Sequence, residues 1–155
     1  MMMSLSYDVL QALKGKTLVT AESCTGGGIG AALTAVAGSS AVYKGGIISY
    51  TNWVKENVLK VDPQMLMECG AVSAEVAKAM ADGARNALQA DIAVSVTGLA
   101  GPGGDGFGNP VGTVFIGYSD SRVTDCTACF FNGNREEIRE QAVLTALKII
   151  LDYNS

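Results

Sequence analysis

No histidine occurs anywhere in the 155 residues, and that absence removes more chemistry than any other. Ser-His-Asp and Cys-His nucleophile pairs, histidine-bound zinc or haem, and histidine general bases are all excluded. An enzyme made from this chain must move its protons with a lysine, a carboxylate or a tyrosine. Charge is scarce too: Asp, Glu, Lys and Arg make up 17% of the chain, against a usual ~25%. That points to a closely packed interior or to surface hidden in a homo-oligomer. The eleven Lys and Arg residues are scattered and outnumbered by fifteen Asp and Glu, so neither nucleic acid nor an anionic membrane is an expected partner. No apolar run approaches the ~18–20 residues of a membrane span. The opening Met1-Met2-Met3-Ser4-Leu5-Ser6 lacks the basic stretch of a signal peptide. Together these predict a cytoplasmic protein.

What is present is apolar residues, at 48%, and glycine, at 19 residues. A chain of this length buries roughly 68–70% of its unfolded surface, enough for one domain over 1–155 held by its own core. Four cysteines (Cys24, Cys69, Cys126, Cys129) therefore read as reduced thiols. Cys126-Thr127-Ala128-Cys129 has redox spacing, but it falls inside a β-rich run, where positions three apart point to opposite faces.

The pattern of elements starts with a helix over 6–14 and a strand over 17–22 that runs into a glycine turn. A small-residue helix over 26–37 stops at Gly38, and 43–51 reads as a strand. Asn52 is placed to cap a short helix carrying Trp53, Lys55 and Val58. Pro63 suits a helix start, and Ser73 with Glu75 opens a helix reaching Ala90. A strand over 91–97 feeds a long loop, 98–112, followed by two tightly joined strands, 113–119 and 122–131. Asn134 with Glu137 caps a last helix that ends near Tyr153. Alternating helices and strands with a final hairpin predict a three-layer α/β/α sandwich, its sheet mixed, mostly parallel and containing a late antiparallel hairpin.

Three segments carry chemistry. Thr20 to Gly28 crosses from a strand into a helix, where unpaired N–H groups attract an anion or a developing oxyanion. Gly26, Gly28 and Ala31 fit the spacing of a dinucleotide turn, a weak signal in so glycine-rich a chain. Ser23 or Cys24 at this turn is a candidate nucleophile. Lys55, early in a helix and near the glycine turns, has reason to lose its proton: a fall of two to three pKa units corresponds to roughly 3–4 kcal/mol. Without histidine, a serine with a lysine is the leading way to activate a hydroxyl, with Tyr50 able to relay or orient the proton. The loop 98–112 has the length and glycine content of a functional segment whose N–H groups wrap a phosphate or a carboxamide. Arg135, opening the last helix, supplies a cation suited to phosphate.

Six ordered motifs, Thr20-Ala21-Glu22-Ser23-Cys24-Thr25-Gly26-Gly27, Gly38-Ser39-Ser40, Tyr50-Thr51-Asn52 with Lys55, Gly70-Ala71-Val72-Ser73, Thr97-Gly98-Leu99-Ala100-Gly101-Pro102 and Pro110-Val111-Gly112-Thr113-Val114, resemble the C-terminal domain of the competence/damage-inducible CinA family. The similarity runs from about Leu18 into the last helix and is to the stand-alone form. It implies hydrolysis of nicotinamide mononucleotide (NMN) to nicotinate mononucleotide and ammonia, with no cofactor and no metal. Ser23 is then the nucleophile, Lys55 its base and Tyr50 the third member, while Thr25, Gly26, Ser40, Thr97, Gly101 and Arg135 occupy substrate-binding positions. A nucleotide sensor without catalysis, or an amidohydrolase for another small amide, would use the same cleft.

Overall fold

The computed structural model describes residues 1–155. Its elements, in chain order, are α1 (Met2–Ala12), β1 (Leu18–Glu22), α2 (Gly28–Thr34), a 3-10 turn (Ser39–Ala41), β2 (Tyr43–Ile48), α3 (Asn52–Asn57), α4 (Pro63–Cys69), α5 (Ala74–Ala87), β3 (Ile92–Gly98), β4 (Thr113–Ser119), β5 (Thr124–Phe130) and α6 (Arg135–Tyr153). The five strands form one sheet in the order β2-β1-β3-β4-β5. β1 pairs in parallel with β2 and β3, whereas β4 pairs antiparallel with both β3 and β5. Four strands thus share one direction and β4 alone opposes them, as expected of a mostly parallel sheet with a late hairpin.

Burial follows position in the sheet. All five residues of β1, a central strand, are buried, whereas edge strand β2 alternates half-buried and exposed residues. One face of the sheet carries α1, α2 and α6 around a core that includes Leu10, Leu33, Ile116, Ala146 and Leu147. α4 and α5 cover the other through Leu66, Val76, Met80 and Ala84. α2 follows β1 and α5 precedes β3, so successive crossovers lie on opposite faces and a crevice opens at the carboxyl ends of β1 and β3, where α/β sheets bind ligands.

Several boundaries differ from the sequence expectation, each for a local reason. α1 begins at Met2, because an uncapped apolar start packs Val9 and Leu10 against the core without a capping residue. α2 is shorter than 26–37: Gly26 and Gly27 sit at φ 59° and 102°, the left-handed region, and so belong to the turn. β2 stops at Ile48, since the segment after it leaves the edge to form the site. The N-cap of α3 is Thr51 rather than Asn52, and neither side chain caps it. The final helix obeys its signal in full: Asn134 Oδ1 accepts from the Glu137 N–H and Glu137 Oε1 from the Asn134 N–H, both at 2.9 Å.

Candidate active site

Ser23 directly follows the last residue of β1, and its N–H donates to the Val96 carbonyl at 2.9 Å, so the strand ladder itself holds the residue in place. Beside it, the Ser49 N–H donates to the Glu22 carbonyl at 2.8 Å, which fixes the end of β2 against the end of β1. Ser49 then turns its own carbonyl toward Lys55. The Lys55 Nζ donates to that oxygen at 2.7 Å and to Ser23 Oγ at 3.1 Å. The lysine is 1% exposed, with no carboxylate paired to it. Burial is the largest cause of its depressed pKa, which falls from 10.5 to about 8, with the Cys24 thiol pulling weakly the other way. Ser49 also carries the one buried side-chain polar atom without a partner, its Oγ.

A cleft of about 490 Å³ opens over this pair, lined on its far side by the loop from Gly98 to Asp105 and at one end by Tyr50 and Arg135. Its volume lies within the about 300–1,000 Å³ usual for small-molecule sites. The long loop is pinned rather than loose. Arg135 Nη1 donates to the Gly101 carbonyl at 2.6 Å, Asn109 Nδ2 donates to the Val72 carbonyl at 3.2 Å, and the Phe107 ring lies against Gly70. A Cβ at Gly70 would come within 2.9 Å of that ring, and its φ of 78° independently favours glycine.

Of the sequence candidates, Ser23, Lys55, Tyr50, Thr97, Gly101 and Arg135 all line the cleft. Their partners refine what each can do. Tyr50 makes no hydrogen bond to Ser23 or Lys55; its hydroxyl accepts from Arg135 Nη2 at 3.2 Å, so a direct relay between the pair is not the resting arrangement. Thr97 donates its hydroxyl to the Ala71 carbonyl at 2.8 Å, tying the chain before α5 to β3. Cys24, the other candidate nucleophile, is a buried thiol whose pKa is raised to about 11, mainly by that burial, and no base touches it. The Cys126 and Cys129 thiols are likewise free on β5, and burial raises the pKa of both.

Three of the expected substrate-binding residues lie outside this cleft. The Thr25 hydroxyl points inward, donating to Glu22 Oε1 at 2.7 Å, and Gly26 is backed by the Arg139 guanidinium; neither lines the cleft. Ser40 lies in the 3-10 turn that precedes β2, whereas Ser23 follows the carboxyl end of the parallel strand β1, so Ser40 sits at the opposite end of the sheet.

The expected anion site at the start of α2 is also already filled. Glu22, 2% exposed, accepts from the Ile29 N–H at 2.8 Å and the Gly30 N–H at 3.0 Å. The hydroxyls of Thr25 and Thr20 complete its shell, at 2.7 and 3.1 Å. The helix terminus therefore binds the protein's own carboxylate. Among the cleft-lining residues, the backbone N–H groups of Cys24, next to Ser23, and of Ala100 and Gly101 on the loop donate to no group in the chain. Sequence reasoning also missed Arg139, whose Nε and Nη2 donate to the carbonyls of Cys24 and Thr25 at 3.0 and 3.2 Å. Its spacing of four from Arg135 on one helix was the available signal, since such positions share a face.

Comparison with known proteins agrees with this architecture. The family model of the CinA C-terminal domain matches residues 3–154. A CinA-like protein of Geobacter sp. (strain M21) is 48% identical over 139 residues, covering 90% of this chain and 34% of that protein. One of Synechococcus sp. (strain RCC307) is 55% identical over 113 residues, covering 72% and 27% respectively. The chain thus spans about a third of the length of the curated relatives it matches. Among solved structures, the competence damage-inducible protein A (ComA) of Klebsiella pneumoniae superposes with a TM-score of 0.95 at 37% identity, covering 97% of this chain and 95% of that one. A competence/damage inducible protein, CihA, of Agrobacterium tumefaciens does so with a TM-score of 0.95 at 39% identity, covering 99% and 96%. With the family model matching residues 3–154 and the fold superposing on solved structures bearing the family's name, this chain belongs to the CinA C-terminal domain family.

Proposed function

We propose that this domain is an amidohydrolase acting on nicotinamide mononucleotide, releasing ammonia and nicotinate mononucleotide through a serine-lysine acyl-enzyme. The observation that carries the reading is the 3.1 Å approach of Lys55 Nζ to Ser23 Oγ, made by a lysine whose pKa is lowered to about 8. Protonated, this ammonium donates to the serine; neutral, its lone pair accepts the serine proton. Ser23 Oγ attacks the carboxamide carbon while its proton passes to Lys55 Nζ. The C–N bond then breaks, with the same proton delivered to the departing nitrogen as ammonia. Water attacks the resulting ester, gives a proton to the neutral lysine, and the C–O bond breaks to return that proton to Ser23.

The developing oxyanion falls to the unspent amides described above: that of Cys24 directly follows the nucleophile, the sequence position used in nucleophile elbows, with those of Ala100 and Gly101 as further donors. Arg135 spends two of its five N–H groups on Gly101 and Tyr50, which leaves three for a phosphate at the cleft mouth. The test is ammonia release from NMN by purified protein. Ser23→Ala and Lys55→Ala should each lower kcat by at least about a thousandfold without unfolding the domain. Wild-type turnover by either variant refutes the assignment. Calorimetric binding of NMN without ammonia would replace catalysis with sensing, and turnover confined to other members of an amide panel would move the substrate while keeping the chemistry.

A further inference from the structure

The cleft has two cations, Lys55 at its floor and Arg135 at its mouth, and a single carboxylate, that of Asp105. A negative charge is out of place in a site that takes an anion unless the part of the ligand beside it brings hydrogen-bond donors. Asp105 does not arrive there by accident of a flexible loop. Its Oδ1 accepts from the Phe107 N–H at 3.0 Å and its Oδ2 from Asn109 Nδ2 at 2.9 Å. Asn109 is in turn bonded to the Val72 carbonyl, and Phe107 rests on Gly70. The carboxylate is therefore held in one orientation by two residues that are themselves anchored to the segment between α4 and α5. Partial burial raises its pKa, but the hydrogen bonds from Asn109 and from the Phe107 amide outweigh this and leave it below the usual carboxylate value, so it stays ionised at neutral pH.

A carboxylate has about four lone-pair sites, and the loop uses two of them, one on each oxygen. What remains is one acceptor direction on each of two adjacent oxygens, a pair matched to two neighbouring hydroxyls. An acidic side chain reading ribose hydroxyls while N–H groups or cations hold the phosphate is the division of labour used in dinucleotide folds. Resting on the reading of the site given above, we propose that Asp105 determines specificity by accepting hydrogen bonds from the vicinal hydroxyls of a ribosyl phosphate whose phosphate is held by Arg135. The same charge turns away ligands that present a second anion at that point.

The experiment separates this claim from the catalytic one by using sugars that carry no amide. In the Ser23→Ala protein, calorimetry is run with ribose 5-phosphate and with 2-deoxyribose 5-phosphate, with and without Asp105→Ala. With Asp105 in place, ribose 5-phosphate should bind about ten- to a hundredfold more tightly than the deoxy sugar, the size expected for hydrogen bonds to a charged group. Removing the carboxylate should make the two sugars bind alike. Asp105→Asn, which keeps acceptor geometry toward Phe107, should leave a smaller preference and serves if the alanine variant misfolds. A preference of equal size in all three proteins, an equal gain in affinity for both sugars when the charge is removed, or failure of both sugars to bind overturns the proposal. A 105-dependent ribose preference in a protein that releases no ammonia from NMN would uphold it and refute only the amidohydrolase reading. Ammonia release with no such preference would do the reverse.

Discussion

Glu22 ends β1 and Lys55 lies in α3, one on either side of Ser23 in the sequence, and both are almost completely buried, yet the fold treats them in opposite ways. The carboxylate is met by four donors, two from the amides of α2 and two from threonine hydroxyls, and a further bond from Tyr43 to Thr20 extends that shell. The ammonium has one carbonyl and the Ser23 hydroxyl oxygen. Neither is in a salt bridge; the chain's one ion pair joins Arg122 to Asp120 elsewhere. A buried charge with a full shell holds structure together, whereas one left short of partners shifts its proton affinity and becomes available for chemistry. Position beside Ser23 does not distinguish the two. Their hydrogen bonds do.

Removing each charge should therefore move stability in opposite directions, and the largest effect belongs to Glu22. Glu22→Ala strips the acceptor from four donors, three of them buried, and should cost about 3–5 kcal/mol, visible as a lower denaturant midpoint at unchanged slope. If it proves nearly neutral, the contrast collapses. Lys55→Met should do the reverse, gaining about 1–3 kcal/mol at pH 7 while abolishing turnover, with the melting temperature rising about 2–4 °C for each kcal/mol. The sign follows from the lowered pKa. Between pH 10.5 and about 8 the unfolded chain binds a proton that the native lysine does not, so native stability falls as pH drops through that window and the full penalty is present below it. The advantage of Lys55→Met should accordingly fade as pH approaches 10.5, and wild-type kcat/KM should rise toward a plateau above about pH 8. Smallest is Thr25→Val, which removes one of Glu22's four bonds. A loss of about 1 kcal/mol in thermal unfolding, with kcat little changed, would mark that hydroxyl as part of the shell and not of the substrate site.

Much of this was legible in the chain. β-branched runs marked β1 and β3, and Asn134 with Glu137 announced α6, because those signals are local. The serine-lysine pair could be inferred because the missing histidines left few other ways to activate a hydroxyl. Glu22 was quoted within its motif, but its task depends on amides seven and eight residues later, which face it only after α2 has folded back. The same limit hid the Ser49 carbonyl that orients Lys55, and Arg139, whose partners lie 114 and 115 residues away. Ser40 entered through the family resemblance, not through local chemistry, and only the direction of β2 shows which end of the sheet it occupies.

The loop between β3 and β4 is fastened at Gly101, Phe107 and Asn109 by contacts within the chain itself. Preorganisation of this kind means that little conformational entropy remains to be lost when the cleft fills. Association should then be quick for so recessed a pocket, its heat-capacity change set by the ligand's own buried area and not by coupled folding. Amide exchange should accordingly be slow at Leu99 and Gly112, whose N–H groups are bonded at the base of the loop, and fast at Ala100 and Gly101, whose N–H groups are not.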